Sequence, residues 1–362
     1  MERGGGRHER GQGSLEYSGI VLLAAILVGA VVYATGWGHP IRESVESSIC
    51  EIVSGGSGNC GFPDTALSPE ERATSGDYVA LGDSYSSGEG ADDYLEGTND
   101  DDATKEAIND FNGWLWPGDP HNNICRRSAN AYSASVYNSF DFEGDYHFGA
   151  CSGGVVRDYY EDNTSDNEGE GPQRDHITDD TSLITMGMGG NDFGFGSVMK
   201  SCVLGGSCAT EEHAEDVDAD IDAEIDKLAQ LYRDMESDAP PGARILIIGY
   251  PQMFPDPEDI TNGSDSFIGE DEQAWLNERG VHANWAIQEA IRRSGTNVEF
   301  VDVADALSGH EVGTDDPWIN DLDFGIDGGE WTNPTSRNSF HPNADGHAAI
   351  SLIVQQHVRS GP

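Results

Sequence analysis

From Asp77 to the C-terminus, five short apolar runs alternate with longer stretches of helical character. The runs are Tyr78–Gly82, Tyr146–Ala150, Leu183–Met188, Arg244–Gly249 and Val298–Val303. Helical stretches occupy Asn130–Phe140, Glu212–Glu236, Asp271–Ser294 and Asp345–Val358. Parallel strands need a crossover of a dozen or more residues, usually a helix, so this alternation predicts a mainly parallel sheet covered on both faces. The expected class is α/β, a three-layer α/β/α sandwich. Ligands of such sheets bind beyond the carboxyl ends of the strands, which directs attention to the turns that follow the runs.

Four of these turns and loops carry residues with useful chemistry. "GDS" places Ser84 directly after the first run, where a following helix leaves backbone N–H groups free to donate. "GACSGG" follows the second run and brings Gly153, whose N–H no Cβ would shield. "MGGND" follows the third and brings Asn191, a side-chain amide suited to an oxyanion. "SFHPNADGH" precedes the last helix and holds His341 in a loop. Each alone has a plain explanation, since Gly, Asp, Asn and Ser are ordinary turn residues and a lone histidine is more often structural.

Together, the order Ser, Gly, Asn, His resembles that of the SGNH hydrolases, also called the GDSL esterase/lipase family. The likeness runs from about Asp77 to the C-terminus. It is strongest to the secreted bacterial lipase/esterase branch, through "GDSYSSGEG", Tyr94, Gly97-Thr98, "CRRSANAY", "ACSGG", "GGNDFGF", "ILIIGYP", "GHE" and "SFHPN". The resemblance implies a flavodoxin-like sheet, a small-molecule or lipid ester as substrate, and no metal or organic cofactor. It implies that Ser84 is the nucleophile and His341 the general base. The backbone N–H groups of Ser84 and Gly153 and the side chain of Asn191 would form the oxyanion hole. Many members carry Asp three residues before the histidine, where this chain has Asn338. A neutral amide cannot supply a full charge. Members with a Ser-His dyad imply instead that the backbone carbonyl of Asn338 orients the ring, with Glu330 as the alternative acid. The branch also implies disulfides Cys125–Cys151 and Cys202–Cys208. Gly313 stands where a further cysteine is common, which leaves Cys50 with Cys60.

The expected organisation is a leader and apolar helix over 1–37, a linker over 38–75 and the hydrolase domain over 76–362. Gly19 to Trp37 carry no charge, enough residues to span a bilayer as one helix. Arg3, Arg7 and Arg10 precede this stretch and acidic residues follow it, which puts the bulk of the chain outside the cell. A cleaved signal peptide is the rival reading. The stretch "RGQGSLEYSGIVLLAAILVGA" also resembles type IV-like prepilins of the tight-adherence kind, in which a peptidase would cut after Gly11, before the Glu16-Tyr17 pair. The product is either anchored by a single pass on the extracellular face of the membrane or secreted. Six cysteines, an even number, suit export.

The formal charge is −47, from 66 acidic against 19 basic residues, and only Lys105, Lys200 and Lys227 are lysines. Nucleic acid is excluded as a partner, because phosphate contacts need clustered Lys and Arg. The acid is spread along the chain rather than gathered in a tail, a pattern that fits either plain solubility or adaptation to high salt. "DVDADIDAEIDK" imitates the start of a calcium loop. It lacks the required Gly and Glu, with Ile221 and Lys227 in their places, and is expected to be an amphipathic helix. The insertion between Ala91 and Asn123 carries Trp114, Leu115 and Trp116, which would line an acyl pocket, act as a lid or simply pack the loop down. Two other functions share these features: a carbohydrate acetyl esterase of the same fold, and an inactive pilus-associated surface protein.

Overall fold

The computed structural model describes residues 67–99, 123–163, 167, 170–204, 208–256, 266, 268–322 and 338–361. The expected apolar helix, most of the linker, Cys50, Cys60, Glu330 and the Trp114–Trp116 cluster lie outside these residues. Among the described residues no helix is long and apolar enough to cross a membrane.

Five strands form one parallel sheet: β1 (Asp77–Gly82), β2 (Tyr146–Phe148), β3 (Thr181–Gly187), β4 (Arg244–Ile248) and β5 (Glu299–Val301), in the order β2-β1-β3-β4-β5. The three central strands are buried along their whole length, as near-continuous apolar runs in a doubly covered sheet should be. The edge strands β2 and β5 stop two residues before their expected ends. Beyond β2, the N–H groups of Gly149 and Ala150 both turn back to the Ala80 carbonyl, so the ladder ends there.

The helices are α1 (Pro69–Ala73), α2 (Ser84–Ser87), α3 (Tyr132–Ser139), α4 (Phe195–Leu204), α5 (Glu211–Asp238), α6 (Glu270–Ser294) and α7 (Ala344–Ser360). The long pair α5 and α6 pack on one another, while α7 packs on α1 and α3, giving the outer layers of the sandwich. The acidic stretch that imitates a calcium loop is part of α5. Val217, Ile221, Ile225, Leu228, Leu231, Tyr232 and Met235 form its buried stripe, and the acidic side chains take the other face. Thr210 caps its start by accepting from the His213 N–H. Helix α1 lies inside the stretch expected to be linker. A Ser68/Glu71 capping box forms it, and Arg244 fastens it to the body.

Arg244 joins the two ends of this unit to the sheet. Its guanidinium forms a fork on the Glu299 carboxylate at 2.9 and 2.6 Å. It also donates to the carbonyls of Pro69, Val358 and His357, in α1 and the last turn of α7. Both members of the pair are nearly dry, and His357 adds a third contact to Glu299 at 2.9 Å. Removing one partner would leave a buried carboxylate uncompensated and three carbonyls without their donor. Arg244→Met is expected to lower unfolding stability by about 3–5 kcal/mol, read as a shift of the urea midpoint.

Candidate active site

β1 ends at Gly82, whose φ of +129° and whose closeness to the Gly187 carbonyl, 2.2 Å from where a Cβ would stand, admit only glycine. Gln173 brackets its peptide, accepting from Gly82 N–H and donating to Gly82 carbonyl. Asp83 then caps α2, accepting from the Tyr85 N–H, and Ser84 becomes the first helical residue. Ser84 is 8 % exposed, with its hydroxyl in a cleft of about 580 Å³.

His341 reaches this hydroxyl from the loop before α7. Its Nε2 lies 2.8 Å from Ser84 Oγ. Its Nδ1 lies 3.0 Å from the Ser339 carbonyl. A carbonyl only accepts, so Nδ1 carries the proton and Nε2 presents its lone pair to the serine hydroxyl. The orienting carbonyl is therefore that of Ser339, not that of Asn338 as the resemblance implied. The cause is Phe340, held at φ +60°, which turns the chain so that the carbonyl of Ser339 faces the ring two residues on. The Asn338 carbonyl accepts the His341 N–H instead, and its side-chain oxygen accepts from Arg126 and Tyr94.

The other expected residues line the same cleft. Gly153 has φ +75° with open space where a Cβ would go, so conformation rather than crowding calls for glycine. Asn191 donates one amide hydrogen to the Gly154 carbonyl at 2.9 Å, which leaves the second for the cleft. Among the described residues, the backbone N–H groups of Ser84 and Gly153 have no acceptor. Disulfide Cys125–Cys151 closes on the segment just before Gly153, and Cys202–Cys208 closes the end of α4. Phe193, Phe195, Met199, Val203 and Leu276 make one side of the cleft apolar. No cluster able to hold a metal ion occurs among the described residues.

Several residues with a part in this geometry had no assigned role in the sequence. The Tyr250 hydroxyl accepts from the Gly190 N–H at 2.8 Å and donates to Asp83 at 2.5 Å, joining the Asn191 turn to the Ser84 turn. It stands in the "GYP" that follows β4, the only hint in the sequence. Glu89, Arg126 and Ser152 form a buried polar group beside His341. Burial pushes the Asp83 carboxyl up to about 7, against the hydrogen bonds from Tyr250 and Tyr85.

Because the native state then binds this proton more tightly than the unfolded chain does, Asp83 makes stability fall as pH rises from about 4 to about 7, and level off above that. Asp83→Asn keeps the cap and stays neutral. Subtracting its unfolding free energies from those of the wild type across that range should isolate a loss of roughly 2–4 kcal/mol, complete by about pH 8. A flat difference would mean that Asp83 titrates normally.

Comparison with known proteins bears on the family and the fold. The family described as GDSL-like lipase/acylhydrolase matches residues 80–349. Lipase 1 of Streptomyces coelicolor is 29% identical over 292 residues, 80% of this chain and 89% of that protein. The crystal structure of an extracellular lipase from Streptomyces rimosus superposes with a TM-score of 0.58 at 25% identity, covering 79% of this chain and all of that one. A phospholipase A1 from Streptomyces albidoflavus gives 0.53 at 27% identity, over 79% and 99% of the two chains. With a family match across most of the chain and a sheet and cleft of the expected kind, this protein belongs to the GDSL-like lipase/acylhydrolase family and is a carboxylic ester hydrolase.

Proposed function

We propose that the chain cleaves carboxylic esters through an acyl-serine intermediate, using a Ser84–His341 dyad. The observation that carries this reading is the chain of contacts Ser339 carbonyl, His341 Nδ1, His341 Nε2, Ser84 Oγ. Nε2 takes the proton of Ser84 as Oγ attacks the ester carbon, and the carbonyl electron pair moves to oxygen. The N–H groups of Ser84 and Gly153 and the free amide hydrogen of Asn191 would bind that oxyanion. The imidazolium then protonates the departing alcohol. A water molecule repeats the sequence on the acyl-serine, and the acid is released.

The apolar side of the cleft supports an ester with a hydrocarbon acyl chain over an acetylated sugar as substrate. Export is supported by the two disulfides and by the extracellular description of the Streptomyces rimosus relative. Residues Gly19–Trp37 would carry the chain across the membrane, and either hold it there or leave after processing. Under this reading the sparse lysine and dense carboxylate are a salt adaptation, a device for holding a highly charged surface together when counterions are abundant.

A fluorophosphonate probe should label Ser84 of the purified protein, located by peptide mass spectrometry. Ser84→Ala and His341→Ala should each lower kcat on p-nitrophenyl esters by about 10³-fold or more, and Asn191→Ala by about 10²–10³-fold. Turnover that survives Ser84→Ala would overturn the acyl-serine route, and turnover absent from the wild type would favour the inactive surface protein. Salt adaptation is tested separately. The melting temperature should rise steadily as NaCl goes from about 0.05 M to about 2 M, the range over which screening of exposed charges becomes nearly complete.

A further inference from the structure

We infer that Glu89 is the charge partner of His341, a positioning residue that takes the place of the carboxylate many relatives set behind the histidine. This inference rests on the Ser84–His341 reading above. Glu89 follows the nucleophile helix and is 3 % exposed. Its Oε2 lies 3.8 Å from His341 Nε2, on the side of the ring that faces Ser84 rather than the side that faces the Ser339 carbonyl. Oε2 also accepts from the Ser152 hydroxyl, the residue before Gly153. Oε1 takes the Arg126 guanidinium at 3.3 Å, and the same guanidinium nitrogen donates to Asn338 at 3.0 Å. One buried carboxylate thus touches the oxyanion turn directly, approaches the base directly, and reaches the histidine loop through Arg126.

The chemistry gives this placement a purpose. When Oγ bonds to the ester carbon, its proton passes to Nε2 and the ring becomes an imidazolium. A carbonyl behind the ring fixes the tautomer but brings no net charge. The Glu89 carboxylate brings one, across a short and nearly dry gap. The proton stays on Nε2 and leaves with the alcohol as the C–O bond breaks. Glu89 neither gains nor loses a proton at any step.

The ionisable groups around the ring are Asp83, Tyr85 and Glu89 from the nucleophile turn and helix, Tyr94 and Arg126 from the neighbouring loops, Tyr250 after β4 and His347 from α7. Burial keeps His347 uncharged, pushed down to about 3. Asp83 spends its carboxyl on Tyr250 and Tyr85. Glu89 is the carboxylate that approaches Nε2.

The test is the pH profile of kcat/KM for two variants, with salt held constant. Glu89→Gln keeps an acceptor for Ser152 and loses the charge. It should lower kcat about 10–100-fold with KM within twofold, and move the acid limb to lower pH by about one unit. Arg126→Gln removes the cation that offsets Glu89 and should move the acid limb the opposite way. Opposed displacements are a signature that a merely structural role would not give. An acid limb unmoved in Glu89→Gln, with wild-type Ser84 still labelled by the fluorophosphonate, overturns the role of Glu89 and leaves the dyad intact. Absence of that labelling in the wild type overturns the dyad and this inference with it. Should Glu89→Gln fail to fold, the direction of the Arg126→Gln displacement decides alone.

Discussion

The hydrogen bond between Ser84 and His341 joins residues 257 apart in the chain, and unusual backbone at Gly82 and Phe340 stands close to its two ends. Ser84 sits at a strand-to-helix corner that a glycine, an aspartate cap and the Gln173 amide fix from three sides. Among its described residues the histidine loop has only a turn and one isolated bridge, Pro342 to Ile319, to stiffen it. Asn320 supplies the support: it accepts from Phe340 N–H through its carbonyl, and donates to the His341 and Gly90 carbonyls through its amide. Tyr85, the residue after the serine, donates to the Phe340 carbonyl at 2.6 Å. The same contacts hold Phe340 in a left-handed conformation that a bulky side chain avoids by itself. Local strain is thus placed where the ring must be aimed, and long-range hydrogen bonds offset it.

The second half of the cleft follows the same logic with stronger ties. Arg127 donates to the Ala150 carbonyl and forks onto Glu170, and the disulfide joins Cys125 to Cys151. The turn that carries Gly153 is therefore tied by one covalent bond and one hydrogen bond to the loop that follows the insertion, and the Glu170 pair fixes Arg127 in place. Asp192 accepts from Val156 N–H, and Asn191 beside it donates to Gly154, so the two donor turns brace one another. A donor held in this way would need no rearrangement if charge developed on a ligand, which is the property the proposed oxyanion hole requires.

The strands were legible because their central members are buried on both faces and read as unbroken apolar runs. The long helices were legible because of patterns such as the single buried stripe of α5, from Val217 to Met235. Their ends fell within a few residues of the expected ones. The four motif residues were legible through their order after those elements and the family resemblance that this order carries. What escaped was whatever depends on a contact made far away in sequence. Whether the carbonyl of residue 338 or 339 meets the imidazole turns on one φ angle at Phe340, and no local pattern announces a left-handed phenylalanine. Tyr250 and Glu89 stood in quoted motifs, but only tertiary packing sets them against Asp83 and His341. Helix α1 was absorbed into the expected linker because five residues carry too little periodicity to register.

Charge is distributed unequally between inside and outside, and this shapes how the molecule answers to salt. Basic residues are few, yet Arg126, Arg127, Arg244 and Arg279 are all buried, the first three against Glu89, Glu170 and Glu299 and the last against Asp218. Each cation so used is missing from the surface, where the acidic face of α5 stands with Lys227 and a few arginines as its local relief. Mobile ions screen charges that water surrounds and barely reach those that protein surrounds. Counterions would therefore relieve repulsion across the outer faces while leaving the Glu89–Arg126 and Glu299–Arg244 pairs as they are. A surface that depends on its solvent can in this way enclose a cleft whose electrostatics do not.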